Sequence, residues 1–371
     1  MGLSQPATSA AVRLSIVTVC MNRLEHLLAT ASRVAAWPGH QEHVIVDWSS
    51  AVPVQRQQLP ADDRIRLLRV EREPSWNLCR AYNFAVSRAQ GDWILKLDAD
   101  TWPTQAWSTQ GWSTQDWSRQ DWVGEVLGLQ PRSGGAPAGP GYAFGSGPQG
   151  RKGQFLMPRQ LFEAVGGFNE HLIGYGFDDK DLQARLAVHT GQPASELPEA
   201  WIGVIPHSDA ERAGQGRSGR LDWLEASRGL AAMRASQLSN RLLAAHCPWS
   251  GRAPASVYLE RASGVWQVEA ATLPRLAAGV AAEINHARRM TFWGFFLAIP
   301  EPCLEVLPYS LFPPERAGRW RVRLWHRIWW YSGRPLLELP VWALVLGRQG
   351  LMALRSRLGE RLVQGNTPLD S

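Results

Sequence analysis

One stretch constrains this chain more than any other: Gly91-Asp92-Trp93-Ile94-Leu95-Lys96-Leu97-Asp98-Ala99-Asp100. A short run of apolar, β-favouring residues ends in two aspartates one residue apart. The run has the length of a buried strand. Open α/β sheets place their ligands at the carboxyl ends of strands, which is where Asp98 and Asp100 fall. Carboxylate oxygens suit a hard divalent cation, and such a cation readily shares its shell with phosphate oxygens. The pair therefore points to a metal–diphosphate site. A solvated turn explains the same two residues when they are taken alone, so the flanking sequence has to decide.

The flanks read as alternating strands and helices. Leu14 to Cys20 forms a first strand, and Glu25 to Ala36 has helical spacing with Leu24, Leu27, Leu28, Ala31 and Val34 on its apolar face. Val44-Ile45-Val46 leads to Asp47, and Ile65 to Val70 is a third strand. Asn77 to Ala89 is a second helix, and the Asp98/Asp100 strand follows it. This order predicts a predominantly parallel sheet with helices packed on it. Further on, Gln154 to Met157 reads as a strand. Asp178-Asp179-Lys180-Asp181 opens a helix whose dipole favours acidic residues there. Trp201 to Ile205 is a strand that ends at Pro206-His207.

A length of 371 residues allows one large domain or two medium ones. The net charge of +6 suits an anionic ligand or a membrane surface, and composition by itself also admits nucleic acid. Cys20, Cys79, Cys247 and Cys303 show neither metal-ligand spacing nor a C-x-x-C, which fits a reducing compartment and free thiols. Neither a signal peptide nor a transmembrane stretch is visible, so a cytoplasmic location is expected.

Two regions depart from this pattern. Trp107, Trp112, Trp117 and Trp122 mark a five-residue repeat, a period that matches neither helix nor strand. It reads as an expanded low-complexity loop, with an aromatic strip that stacks on sugar rings as the alternative. From Arg319 onward, Trp320, Trp325, Trp329 and Trp330 alternate with Arg321, Arg323 and Arg327. Arginine among tryptophans suits peripheral contact with the inner face of a membrane through residues 319–362. A helical subdomain packed with the same tryptophans explains them equally well.

Taken in order, these motifs resemble GT-A-fold glycosyltransferases of the family 2-like branch, related to chondroitin-type polymerases and to the galactosyltransferases. The motifs are Thr-Val-Cys-Met-Asn-Arg, Val-Asp-Trp-Ser-Ser, Trp76 to Asn83, the Asp98/Asp100 strand, Gly-Tyr-Gly-Phe-Asp-Asp-Lys-Asp-Leu and the strand ending at His207. The resemblance covers roughly residues 13–210. It implies an α/β, Rossmann-like, mostly parallel sheet flanked by helices, with a Trp-repeat insertion at 102–122. A helical connector at 211–245 and a mainly helical C-terminal region at 246–371 would follow.

The resemblance also implies an activity and a set of roles. The expected reaction is metal-dependent, inverting transfer of a sugar from a nucleotide-diphosphate donor, a UDP-sugar first among them, to a carbohydrate acceptor. Nucleic acid is not an expected partner. Asp100 is expected to ligate Mn2+ or Mg2+, Asp98 to contact the metal or the ribose, and His207 to be the third ligand. A histidine ligand favours manganese. Asp47 is expected on the uracil or ribose side of the nucleotide, and Arg80 and Asn83 near the diphosphate and the sugar. Asp179 is expected to be the general base and Asp178 the acceptor contact. Asp178 stands where the family usually has Glu, and Tyr175 where Trp is frequent. Two other functions share some of these features. A sugar nucleotidylyltransferase would need a glycine-rich phosphate loop, and the turn Cys20-Met21-Asn22-Arg23 is not one. A non-catalytic carbohydrate- or nucleic-acid-binding protein would use the Trp/Arg-rich parts.

Overall fold

The computed structural model describes residues 13–109, 141–148, 151–206, 223–253 and 255–296, together with isolated positions between 324 and 354. The strands are β1 (Leu14–Cys20), β2 (Glu42–Trp48), β3 (Ile65–Glu71), β4 (Trp93–Lys96), β5 (Thr101–Pro103), β6 (Ala143–Gly145), β7 (Phe155–Pro158), β8 (Ser195–Leu197), β9 (Ile202–Val204), β10 (Tyr258–Ala262) and β11 (Val265–Val268). The helices are α1 (Leu24–Ala36), α2 (Leu78–Arg88), α3 (Ala106–Thr109), α4 (Arg159–Ala164), α5 (Asp178–Thr190), α6 (Trp223–His246) and α7 (Ala278–Phe296).

Among the described residues one large sheet runs β10-β11-β3-β2-β1-β4-β7-β6-β8, and β5 and β9 form a separate pair. The β3-β2-β1-β4 core is parallel, as the strand–helix alternation predicts. The first two strands are buried along their whole length, because a parallel sheet is covered on both faces. β7 pairs antiparallel with β4. Gly91 has to be glycine where the chain enters β4, since a Cβ there would lie 2.6 Å from the Ser15 nitrogen.

Helix α1 covers one face of the sheet with Leu27, Thr30, Ala31 and Val34, the i, i+3, i+4, i+7 spacing of a single helix stripe. Thr30 stands where the sequence pattern calls for an apolar residue. Its hydroxyl donates to the Ala99 carbonyl at 2.8 Å, so this helix holds the peptide between the two aspartates.

Two compact units emerge. The first comprises residues 1–173, 177–207 and 248–275, and the second residues 174–176, 208–247 and 276–371. The β10–β11 hairpin belongs to the first unit and extends its sheet, with β11 parallel to β3. Aromatic packing accounts for this: Tyr258 lies 5.7 Å from Trp48 and 5.0 Å from Phe84, and Trp266 lies 5.6 Å from Phe84. In the second unit, α6 packs against α7.

The tryptophan repeat also starts differently from the expected loop. Trp107 is fully buried, stacked on Trp201 at 5.1 Å and tilted against Trp37 at 5.3 Å. Trp102 is half-buried beneath the Arg33 guanidinium at 3.9 Å. Trp112, Trp117 and Trp122 lie outside the described residues. Thus the first tryptophan of the repeat is a core residue. Trp107→Ala should lower the unfolding free energy by about 3–5 kcal/mol, the usual cost of truncating a buried tryptophan. Urea denaturation measures this, and a loss below 1 kcal/mol would remove Trp107 from the core.

Candidate active site

The loops after β1, β2 and β3 meet at the carboxyl edge of the sheet, where the backbone is strained. Asn22, Ser49 and Arg72 follow these three strands with φ of 56°, 54° and 63°. Phe177, just before Asp178, has φ of 72°. Left-handed backbone at non-glycine residues persists only where its surroundings impose it, and it concentrates at functional sites. Side chains tie the loops together. The Asn22 amide oxygen accepts from the Ala51 N–H at 2.8 Å, and the Ser49 hydroxyl bridges the Val70 carbonyl and the Glu73 N–H.

The turn from Asp98 to Thr101 is the most heavily pinned element. The Thr101 N–H and hydroxyl both donate to the Asp98 carbonyl at 3.0 Å. The Asp98 carboxylate accepts from the Lys96 ammonium at 2.8 Å, the Tyr82 hydroxyl at 2.8 Å and the Gln154 amide at 2.6 Å. Gln154 also accepts from the Asp98 N–H at 2.9 Å. Burial by itself would raise the Asp98 carboxyl. The charge and hydrogen bond of Lys96, with the bonds from Gln154 and Tyr82, outweigh burial and hold it below the usual carboxylate range. Asp100 is buried, with the Arg23 guanidinium 3.8 Å away.

The acidic start of α5 belongs to the same electrostatic neighbourhood. Burial first, and the charge of Asp179 second, push the Asp178 carboxyl up to about 7. The charges of Lys96 and Asp98 also act on it, in opposite directions. Asp179 accepts from the Lys180 N–H at 2.8 Å. The structure thus brings Asp178 within electrostatic reach of Asp98 and Lys96. His207 lies outside the described residues. However, the chain reaches Ile205 beside Asp100, because the Ile205 N–H donates to the Asp100 carbonyl at 2.8 Å and β9 pairs with β5. Among the described residues no three His, Cys, Asp or Glu side chains form a metal-binding group.

Three further expected site residues have partners within the protein. Asp47 is fully buried and accepts from the Ser50 and Val54 N–H groups, both at 3.0 Å, and from the Arg69 guanidinium. Its oxygens fold the loop after β2, because a buried carboxylate must find donors within the protein. Arg80 pairs with the buried Glu73, which also accepts from the Tyr258 hydroxyl at 3.0 Å. Asn83 brackets the chain at Phe168, accepting from its N–H at 2.8 Å and donating to its carbonyl at 2.9 Å. It also donates to Glu170 at 2.9 Å. In the second unit the Tyr175 side chain is 42 % exposed, and its N–H donates to the Ser236 hydroxyl at 3.0 Å.

Sequence reasoning missed Thr30, Tyr82, Lys96 and Gln154. A lysine inside the apolar run Trp93-Ile94-Leu95-Lys96-Leu97 was a readable signal. Almost no lysine is fully buried without a partner.

With this geometry in place, known proteins can be compared. Residues 15–123 match the family model "Glycosyl transferase family 2", and residues 146–200 match "N-terminal domain of galactosyltransferase". These two consecutive matches, on a mostly parallel α/β sheet, support a glycosyltransferase enzyme. No curated protein matches the chain. Among solved structures, the chain is similar to a mannosyltransferase from Pyrobaculum calidifontis in complex with GDP-Man and Mn2+. That match has 14 % identity, covers 94 % of this chain and 87 % of the other, and has a TM-score of 0.39. It is also similar to glucosyl-3-phosphoglycerate synthase from Mycobacterium tuberculosis in complex with Mn2+, UDP and glucosyl-3-phosphoglycerate. There the identity is 12 %, the coverage 70 % and 91 %, and the TM-score 0.39. TarS of S. aureus shows 12 % identity, coverage of 83 % and 87 %, and a TM-score of 0.39. Overlaps of this size carry no weight for the ligands of this chain.

The Glu73–Arg80 pair can be tested as a structural element. Arg80→Met strands the buried Glu73 carboxylate and should lower stability by about 3–5 kcal/mol. Adding Glu73→Gln should recover a large part of that loss in urea denaturation. An Arg80→Met protein of normal stability that fails to bind UDP would restore Arg80 as a ligand contact.

Proposed function

We propose that the enzyme transfers a sugar, with inversion, from a nucleotide-diphosphate donor, a UDP-sugar first among them, to a carbohydrate acceptor. The observation that supports this reading is the electrostatic proximity of Asp178, at the start of α5, to Asp98 and Lys96 at the end of β4. Of these groups, Asp178 is tuned to exchange a proton near neutrality.

Asp100 supplies a carboxylate, a ligand that suits a hard divalent cation, and His207 is the further ligand that the resemblance implies. These two residues would hold Mn2+ or Mg2+. Such an ion, when bound, offsets the negative charge that builds on a departing diphosphate.

The acceptor hydroxyl attacks C1 from the face opposite the diphosphate. The new C1–O bond forms as the bond to the leaving nucleoside diphosphate breaks, and the hydroxyl proton passes to a carboxylate. A base is most effective when its pKa lies near the working pH. This favours Asp178 as the base, with Asp179 as the neighbour that raises it and as the acceptor contact, the reverse of the assignment expected from sequence.

In a nucleotide-release assay, Asp100→Asn should abolish transfer. Asp178→Asn should reduce the rate by about 10²–10⁴-fold, the usual contribution of a general base. The wild-type rate should rise with pH through about 7 as the Asp178 carboxyl loses its proton. Asp179→Asn should move that rise to lower pH, because it removes the neighbouring charge. A larger loss in Asp179→Asn, with the pH profile unmoved, would return the base to Asp179. Normal turnover by Asp100→Asn would end the transferase reading.

Peripheral membrane contact through 319–362 is a separate proposal. The segment holds nine arginines and two glutamates. Leu324, Ile328 and Tyr331 are exposed and follow the i, i+4, i+7 spacing of one helix face. Among the described residues no helix is long and apolar enough to cross a membrane. The full chain should co-sediment with anionic vesicles and lose that binding at high salt. Equal recovery in the supernatant with and without vesicles would overturn the proposal.

A further inference from the structure

Helix α6 carries buried polar residues on one stripe: Ser236 and Asn240 are one turn apart, with Ser239 between them. A packed helix normally turns apolar residues inward, and buried polar groups persist where they are hydrogen-bonded. Two of the three direct bonds to one short loop. The Ser236 hydroxyl accepts from the Tyr175 N–H at 3.0 Å, and the Asn240 amide donates to the Gly176 carbonyl at 2.9 Å. The third steadies the helix. The Ser239 hydroxyl donates to the Ser236 carbonyl at 3.0 Å and accepts from the Arg288 guanidinium of α7 at 3.2 Å.

The loop is shaped for this contact. Gly174 and Gly176 have φ of 77° and 83°. A Cβ at 174 would lie 2.2 Å from the Ser236 hydroxyl oxygen, and one at 176 would lie 3.0 Å from the Gln237 side chain. Glycine permits both the backbone and the close approach. The Gly176 carbonyl belongs to the peptide plane that enters Phe177, the left-handed residue at the N-cap of α5, immediately before Asp178. A phenylalanine side chain cannot cap a helix, so the setting of this turn has to come from elsewhere. Asn240 holds the peptide plane against which the Phe177 torsion turns.

We propose that Ser236 and Asn240 are positioning residues for the reaction: they hold the Gly174-Tyr175-Gly176 loop and, through the Gly176–Phe177 peptide, set the start of the helix that carries Asp178. Both lie outside the two stretches that match the glycosyltransferase family models. This inference rests on the transferase reading for Asp178 as the base. Burial is the first cause of the raised Asp178 carboxyl, Asp179 is the second, and Lys96 and Asp98 act on it in opposite directions. A loosened turn admits water to that carboxyl and lets it fall toward its ordinary value. The rise of the rate with pH then moves to lower pH, and turnover falls because the base is less well placed.

The test uses the full chain with Ser236→Ala and with Asn240→Leu, which is close in size but lacks the amide. In hydrogen–deuterium exchange, the peptide spanning 173–177 should exchange about tenfold faster in both variants, with β1 and β2 unchanged. Nucleotide release is followed from whichever of UDP-glucose, UDP-galactose and UDP-N-acetylglucosamine the wild type turns over fastest. There kcat should fall by about tenfold and the pH profile should shift to lower pH, a shift that a merely structural role would not produce. Affinity for UDP with Mn2+ should stay within about twofold. Should Asn240→Leu not fold, Ser236→Ala decides. Unchanged exchange at 173–177 would overturn the proposal and leave the transferase reading intact, and so would faster exchange with kcat and the pH profile unmoved. A wild-type protein that releases nucleotide from none of the three donors would overturn the transferase reading, and the catalytic role of Ser236 and Asn240 with it, whatever the exchange shows.

Discussion

The geometry of this enzyme depends on how one buried lysine and one carboxylate compensate each other at the end of β4. Lys96 and Asp98 lie two residues apart, so the strand ends in a bound pair of opposite charges instead of an open carboxylate. The pair alone would not hold the turn. Tyr82 and Gln154 also donate to Asp98, and Thr30 holds the Ala99 carbonyl. A network satisfied in this way is rigid, because loss of any member leaves a buried polar group without its partner. The position of Asp100 follows from that rigidity.

The same logic recurs along the carboxyl edge of the sheet. Asp47 with Arg69, and Glu73 with Arg80 and Tyr258, convert loops that would otherwise be mobile into a fixed collar. The β10–β11 hairpin contributes Tyr258, so a segment distant in sequence closes this collar. On α5, Asp181 is paired with Arg185, whereas Asp178 is not offset in this way. Asp178 sits beside Asp179 without a compensating cation of its own strong enough to offset burial, and its carboxyl is raised accordingly.

Much of the fold was legible because periodicity reports burial. The parallel core of β1 to β4 and the apolar stripe of α1 both follow from spacing. The Asp98/Asp100 and Asp178/Asp179 pairs are visible in the sequence because carboxylates cluster for few reasons. The hairpin's place on the sheet was not, since nothing local to Tyr258 or Trp266 shows that Trp48 and Phe84 await them. Motif position picks out Asp47, Arg80 and Asn83 but does not show which protein groups they pair with. Arg69, Glu73 and the Phe168 backbone became those partners only in three dimensions. Trp107 was hidden for a related reason: within the repeat it looks identical to Trp112 and Trp117, but Trp37 and Trp201 surround it.

The most direct measurement is calorimetric titration of the full chain with UDP, in the presence and absence of Mn2+. A cation held by Asp100 and shared with the diphosphate predicts saturable UDP binding that requires Mn2+ and is lost on chelation. No heat of binding with UDP and Mn2+, together with tight binding to an oligosaccharide or an oligonucleotide alone, would contradict it.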